Sequence, residues 1–170
     1  AKLIVTDINE KAVQRAVDDF GAESVGLDDI YSVDADIFAP CALGGILNDK
    51  TIPELKVKAI CGSANNQLLD IETHGKALED RGIVYAPDYV VNSGGVINVA
   101  DELEGYNKER ATAKVNDVYN QIDKIFTIAK EENISPQLAA DHLAESRIKA
   151  IQNVKSVYSQ SDKNILSGRK

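Results

Sequence analysis

Four short segments, each placed where an apolar strand signal ends, carry the residues best able to do chemistry in this chain. They are Thr6-Asp7, Pro40-Cys41-Ala42, Ser63-Ala64-Asn65-Asn66 and the stretch from Pro87 to Asn92. The last is the most informative. Gly82-Ile83-Val84-Tyr85-Ala86 reads as a strand, Pro87 turns it, and Asn92 and the pair Gly94-Gly95 follow. Val96, Val99, Ala100 and Leu103 then recur at helical spacing. Strand, glycine-softened turn and helix N-terminus is the arrangement by which α/β proteins bring backbone amides against a ligand. Asn65, Asn66 and Asn92 are neutral donors and acceptors. A turn-forming role explains any one of them, but three at one sheet edge favour ligand contact. Val96 and Val99 share a helix face. Periodicity alone reads them as core, whereas their place just after the turn reads them as pocket lining.

The elements that must position these residues alternate. Ala1 to Thr6 reads as a strand, and Asn9 as the cap of a helix from Glu10 to Phe20 that Gly21 stops. Ser24-Val25-Gly26 suggests a short strand and Asp28 to Tyr31 one helical turn. Asp36 to Cys41 predicts a buried strand, Thr51 to Leu55 a short helix, Val57 to Cys61 a third strand, and Glu72 to Arg81 a helix. Lys108 to Asn133 predicts one long amphipathic helix, and Ser135 caps another from Pro136 to about Val157. Ser159 to Lys170 reads as a loose polar tail. This order predicts an α/β, Rossmann-like, doubly wound and mostly parallel sheet with added carboxy-terminal helices. Ligands bind such sheets beyond the carboxyl ends of the strands. An acid in the place of Asp7 there accepts hydrogen bonds from the adenosine ribose of a dinucleotide and repels a 2′-phosphate, favouring NAD over NADP. Taken alone, Asp7 is better explained as a helix-capping residue ahead of Ile8-Asn9, and the other three strand ends turn the balance toward the ribose. The GxGxxG fingerprint belongs roughly 20 residues before that acid, where this chain has no residues. The expected fold therefore lacks its first strand and glycine-rich turn.

Composition narrows the classes. The 170 residues are 44% hydrophobic and 5% aromatic, which suits one soluble core with an appendage. A formal net charge of -8 argues against a nucleic-acid partner. No apolar run approaches the ~20 residues of a membrane span. Cys41 and Cys61 form no CxxC pattern and read as reduced thiols of a cytoplasmic protein, Cys41 at least half-buried. His74 and His142 sit among charged residues and read as solvated. No paired-ligand spacing supports a metal. The absence of methionine, and a start inside a strand, predict a piece of a longer polypeptide.

The chain resembles the amino acid dehydrogenases of the glutamate/leucine/phenylalanine/valine family. The resemblance is carried by Leu3-Ile4-Val5-Thr6-Asp7-Ile8-Asn9, by Ala39-Pro40-Cys41-Ala42-Leu43-Gly44 and by Gly62-Ser63-Ala64-Asn65-Asn66-Gln67-Leu68. It continues through Tyr85 to Tyr89, the Asn92 to Val99 run, and Asp101 to Asn107. It implies NAD-dependent oxidative deamination of branched-chain L-amino acids, L-leucine foremost, to 2-oxo acids and ammonium. Valine or phenylalanine as substrate, or a non-catalytic nucleotide-binding or assembly module, are the alternatives. Asp7, Ile8, Cys41, Ala42, Ala64, Asn65, Asn66 and Asn92 would contact NAD, and Val96 and Val99 would line the substrate side-chain pocket. Glutamate is disfavoured, because a valine offers no hydrogen bond to a side-chain carboxylate. The family's catalytic lysines and aspartate lie in an amino-terminal domain, so no catalytic residue is assigned here. Residues 1–134 would be a partial NAD-binding domain. Residues 135–170 would be a helix and tail packing on that missing domain in a homo-oligomer.

Overall fold

Asn9 Oδ1 accepts the N–H groups of Lys11 and Ala12 and so opens α1 (Glu10–Phe20), which Gly21 closes at φ 63. Both ends follow from the sequence because each orphan backbone group finds its partner locally. The helix connects β1 (Ile4–Val5) to β2 (Glu23–Ser24), which lie parallel. Further strands are β3 (Ile37–Phe38), β4 (Ala59–Ile60) and β5 (Val84–Tyr85), ordered β3-β4-β5 and all parallel. The computed structural model describes residues 1–157. The expected tail from Ser159 lies outside them.

The sheet is thus parallel, as expected, but divided: β1 pairs with β2 and β3 with β4, and β1 does not pair with β3. In the doubly wound order 3-2-1-4-5-6, the first strand stands between the second and the fourth. The division falls at that place. It also explains why the strand expected to be buried is not. Ile37 on β3 is 62% exposed, because β3 has a neighbour on one side only, whereas Ile60 on the central β4 is fully buried. The face of α1 made by Ala12, Val13, Ala16 and Val17 is only half-buried, and Phe20 is exposed.

The main core packs Leu47, Ile52, Leu55, Ile60, Leu68, Leu78, Ile83 and Tyr85 between β4, β5 and α2 (Ile71–Asp80). Full burial of such side chains contributes roughly 1.5–3 kcal/mol each. Segments 34–48 and 56–69 repeat one path. Each runs from an isolated bridge (Asp34 to Lys56) through a paired strand and a turn to a second bridge (Leu47 to Leu68). The turns match to the backbone angle, Gly45 at φ 70 and Asn66 at φ 52. Their ladder includes Gly45 N–H to Asn66 O at 2.7 Å and Leu47 N–H to Gln67 O at 3.0 Å.

Beyond β5 the chain is helical: α3 (Asp88–Val91), α4 (Gly94–Glu102), α5 (Lys108–Asn116), α6 (Val118–Glu132) and α7 (Pro136–Val157). The single helix expected over Lys108 to Asn133 is two. It breaks at Asp117, whose carboxylate accepts from Asn120 and Gln121 beyond the break. Side chains of this kind compete with the helical ladder. Asn133 in the left-handed conformation ends α6, and Ser135 Oγ accepts the Leu138 N–H to start α7. A second core of Ile125, Ala129, Ala139 and Ala140 joins α6 to α7. His74, expected to be solvated, is 4% exposed. Its Nδ1 accepts the Asp70 N–H at 2.9 Å, leaving the ring proton on Nε2, 3.2 Å from Asp49 Oδ1. His142 is exposed, as expected, and pairs with Glu132.

Candidate functional site

The parallel strands β3, β4 and β5 bring their polar ends to one edge of their own sheet, and two of the expected residues, Asn65 and Asn92, touch there. Asn92 Nδ2 donates to Asn65 Oδ1 at 2.5 Å and reaches the Ser63 carbonyl at 3.4 Å. This contact ties the turn after β4 to the segment after β5. Asn66 joins Asn65 in that turn through its left-handed backbone, and Asn tolerates this conformation because its short polar side chain bonds locally. Ala64 is buried. Its N–H donates to Pro40 O and its carbonyl accepts from Gln67 Nε2, so its backbone serves the turn itself. Cys41 and Ala42 stand exposed at the end of β3, so the Cys41 thiol is not covered as expected: the chain leaves the sheet there. Cys41 and Cys61 are both free thiols.

Glycines set how closely the turns approach. A Cβ on Gly44 would lie 2.6 Å from Asn65 O and 2.8 Å from Asn66 O. A Cβ on Gly62 would lie 2.1 Å from Pro40 O. Real Cβ atoms do not approach backbone this closely, so both positions require glycine if the two turns are to interlock.

Behind the rim lies a network that the sequence did not announce. Asp88, 7% exposed, accepts the Gln67 N–H at 2.8 Å through Oδ2 and the Tyr89 N–H at 2.6 Å through Oδ1. Gln67 is fully buried, and its Nε2 donates to the Gly62 and Ala64 carbonyls. Burial, then the neighbouring Asp88 carboxylate, pushes the Tyr85 hydroxyl far up. Tyr89 hydrogen-bonds Asp141 on α7, and burial chiefly raises its hydroxyl as well. Only the Pro-Asp pair at a strand end could have signalled Asp88. A polar Gln directly after two turn asparagines carries no signal of its own.

Asp7 stands at the end of β1, in the other sheet, and its Oδ1 accepts the Asn9 N–H at 2.8 Å. Asp7 thus holds the cap residue in place, while the helical N–H groups themselves are capped by Asn9. Ile8 beside it is 86% exposed. Val96 and Val99 lie on α4, 66% and 60% exposed, so within this chain they are not core. Asp101 anchors that helix from beneath. It is fully buried, accepts from Arg110 Nε at 2.5 Å and the Asn107 N–H at 2.6 Å, and lies 3.6 Å from Lys114. The Arg110 hydrogen bond, with the Asn107 N–H behind it, holds its carboxyl down to about 2.

Comparison with known proteins places the chain's sequence and fold. The family model described as Glutamate/Leucine/Phenylalanine/Valine dehydrogenase matches residues 2–160. The chain belongs to that family. Leucine dehydrogenase of Geobacillus stearothermophilus is 58% identical over 170 residues, all of this chain and 46% of the relative. Leucine dehydrogenase of Thermoactinomyces intermedius is 59% identical over 167 residues, 98% of this chain and 45% of the relative. The crystal structure of L-tryptophan dehydrogenase from Nostoc punctiforme matches with a TM-score of 0.85 at 47% identity, covering 88% of this chain and 45% of that one. The chain thus spans about half the length of the dehydrogenases it matches. The partial Rossmann-like fold expected from the strand order is the fold observed. No described helix is long and apolar enough to cross a membrane.

Proposed function

We propose that this chain is the NAD-binding part of a dehydrogenase that oxidatively deaminates branched-chain L-amino acids, L-leucine foremost. One observation carries the reading: 58% identity over the entire chain to a protein named leucine dehydrogenase. The reaction converts an L-amino acid, NAD and water to the 2-oxo acid, ammonium, NADH and a proton. NAD, when bound, supplies the hydride acceptor.

The donor set at the rim fits a dinucleotide. Asn65 and Asn92 are neutral, half-buried to exposed, and already held together, so they can hold ribose hydroxyls or a carboxamide without charge mismatch. Asp7, with Ile8 beside it, would take the adenosine ribose on its carboxylate, and Cys41, Ala42, Ala64 and Asn66 would shape the nicotinamide side. Val96 and Val99 would line the substrate pocket. A side-chain carboxylate buried against them would find no donor, so apolar substrates are preferred.

The open position between β1 and β3 would receive the first strand, with its glycine turn, and an amino-terminal domain would supply the catalytic lysines. The division at 134/135 would separate the NAD-binding part from α7. Ile148 and Ile151 on α7, 55% and 50% exposed, support a role for that helix against another domain or subunit of a cytoplasmic homo-oligomer.

The test is NADH formation, read at 340 nm, by the full-length protein with Leu, Ile, Val, Phe, Trp and Glu. The three branched-chain substrates should lead and Glu should be negligible. One methylene in an apolar pocket shifts selectivity only ~10–200-fold, so modest differences among Leu, Ile and Val are expected. A Glu preference, or no NADH from any aliphatic substrate, would overturn the reading. The likeness to L-tryptophan dehydrogenase favours an aromatic substrate as second reading, and dominant rates with Trp or Phe would establish it.

A further inference from the structure

We infer that Asp88 is a positioning residue for the cofactor rim, which deepens and rests on the NAD-binding reading. Three observations converge. Its two carboxylate oxygens accept from different backbone sites, Gln67 and Tyr89, so one side chain clamps the β4 turn to the first turn of α3. Its own carbonyl accepts the Asn92 N–H at 2.9 Å. The Asp88 side chain therefore reaches both ends of the Asn65–Asn92 contact: Gln67 directly follows the left-handed Asn66, and the α3 turn that the carboxylate starts through Tyr89 is the one whose backbone carbonyl at Asp88 receives Asn92.

The residue type is demanding. Two N–H donors need two acceptor oxygens, and an amide has only one. Asp88→Asn would turn an NH2 toward an N–H and release either the turn or the helix start. Burying a carboxylate costs free energy unless its hydrogen bonds are satisfied. Here backbone N–H groups satisfy it, and no salt bridge to Asp88 is formed among the described residues. Asp101, the other buried aspartate, is neutralised by Arg110. It stiffens a helix pair and touches no rim residue.

The experiment compares Asp88→Asn with Asp101→Asn in the full-length protein. Steady-state kinetics with NAD and L-leucine is combined with amide hydrogen exchange over 62–68 and 88–93. Asp88→Asn should raise the KM for NAD about tenfold while kcat falls less than threefold, with faster exchange at Gln67 and Asn92. Asp101→Asn should lower Tm and leave the KM for NAD unchanged. The inference is overturned if exchange at 62–68 is unaltered in Asp88→Asn. It is also overturned if exchange accelerates but the KM for NAD stays within twofold of wild type, which is a purely structural role. Should Asp88→Asn not fold, Gln67→Leu, which removes the side-chain bonds to Gly62 and Ala64 but keeps the Gln67 N–H on Asp88, must leave the exchange rate at Asn92 near wild type. Faster exchange there would overturn the inference. Wild-type protein that binds no NAD would overturn the parent reading, and the cofactor role with it, whatever the exchange shows.

Discussion

The turns that follow β3 and β4 run along one path and carry opposite chemistry. Leu43-Gly44-Gly45 and Ala64-Asn65-Asn66 occupy matching places, and Gly45 and Asn66 share the left-handed conformation. Beyond the exposed Leu43 the first turn offers no side chain, and Gly44 lets carbonyls of the second approach within the space a methyl would need. The second offers amides, one of them bonded to Asn92. One copy of the path supplies closeness and the other supplies functional groups, so glycine in the first makes room for asparagine in the second.

The sharpest way to break this comparison is to fill the glycine positions. Gly62→Ala should abolish cooperative folding, because its Cβ would lie within 2.1 Å of Pro40 O and 2.4 Å of Pro40 N. Gly44→Ala should cost about 3 kcal/mol in urea unfolding, at the upper end of overpacking effects. Gly94→Ala, whose Cβ meets nothing within 4 Å, should instead stabilise by roughly 0.5–1 kcal/mol as a helical Gly replacement. Equal effects at Gly44 and Gly94 would show that the turns do not interlock.

A milder test exchanges the chemistries. Asn66→Gly should leave stability within about 1 kcal/mol, since glycine adopts the left-handed conformation freely, whereas Asn66→Ala should cost about 1–2 kcal/mol. Gly45→Asn should be tolerated for the same reason. Thermal melts of the variants rank them. Asn66→Ala as stable as Asn66→Gly would remove the conformational argument.

Acid sharpens the contrast between the rim and the helices. The Asp101 carboxyl is held down to about 2 in the folded chain, against ~3.9 for an unfolded Asp. Its contribution is therefore complete above about pH 4 and is lost as pH falls through the interval toward 2. The unfolding midpoint should drop across that interval, and Asp101→Asn should flatten its part of the drop. An unchanged slope in Asp101→Asn would assign the acid response elsewhere.

Much of the fold was legible where partners are local. The Asn9 cap and Gly21 stop define α1 to the residue, because each side chain or φ value acts on its own helix end. The strands were legible as places but not as lengths: each pairs over two residues before its neighbour turns away. The division of the sheet and the exposure of Ile37 depend on which strand stands beside which, and periodicity within one strand holds no such information. The break at Asp117 was hidden because the apolar spacing runs on across it. At the site, Asn65 and Asn92 were legible as polar strand ends. Asp88 and Gln67 were not, because their importance lies in bonds across more than one element. His74 read as solvated from its charged neighbours in sequence, yet the fold buries it and leaves Asp49, distant in sequence, as a partner for its ring.

The open sides of β1 and β3 have a consequence in the test tube. Among the described residues neither strand has a paired neighbour on that side, and exposed Leu3 and Ile37 lie beside it, so in this 170-residue stretch taken alone a strand from a neighbouring molecule can add there. The formal charge of -8 opposes such growth at neutral pH. Concentrated samples of this chain should therefore stay clear when alkaline and turn cloudy as acid cancels that repulsion.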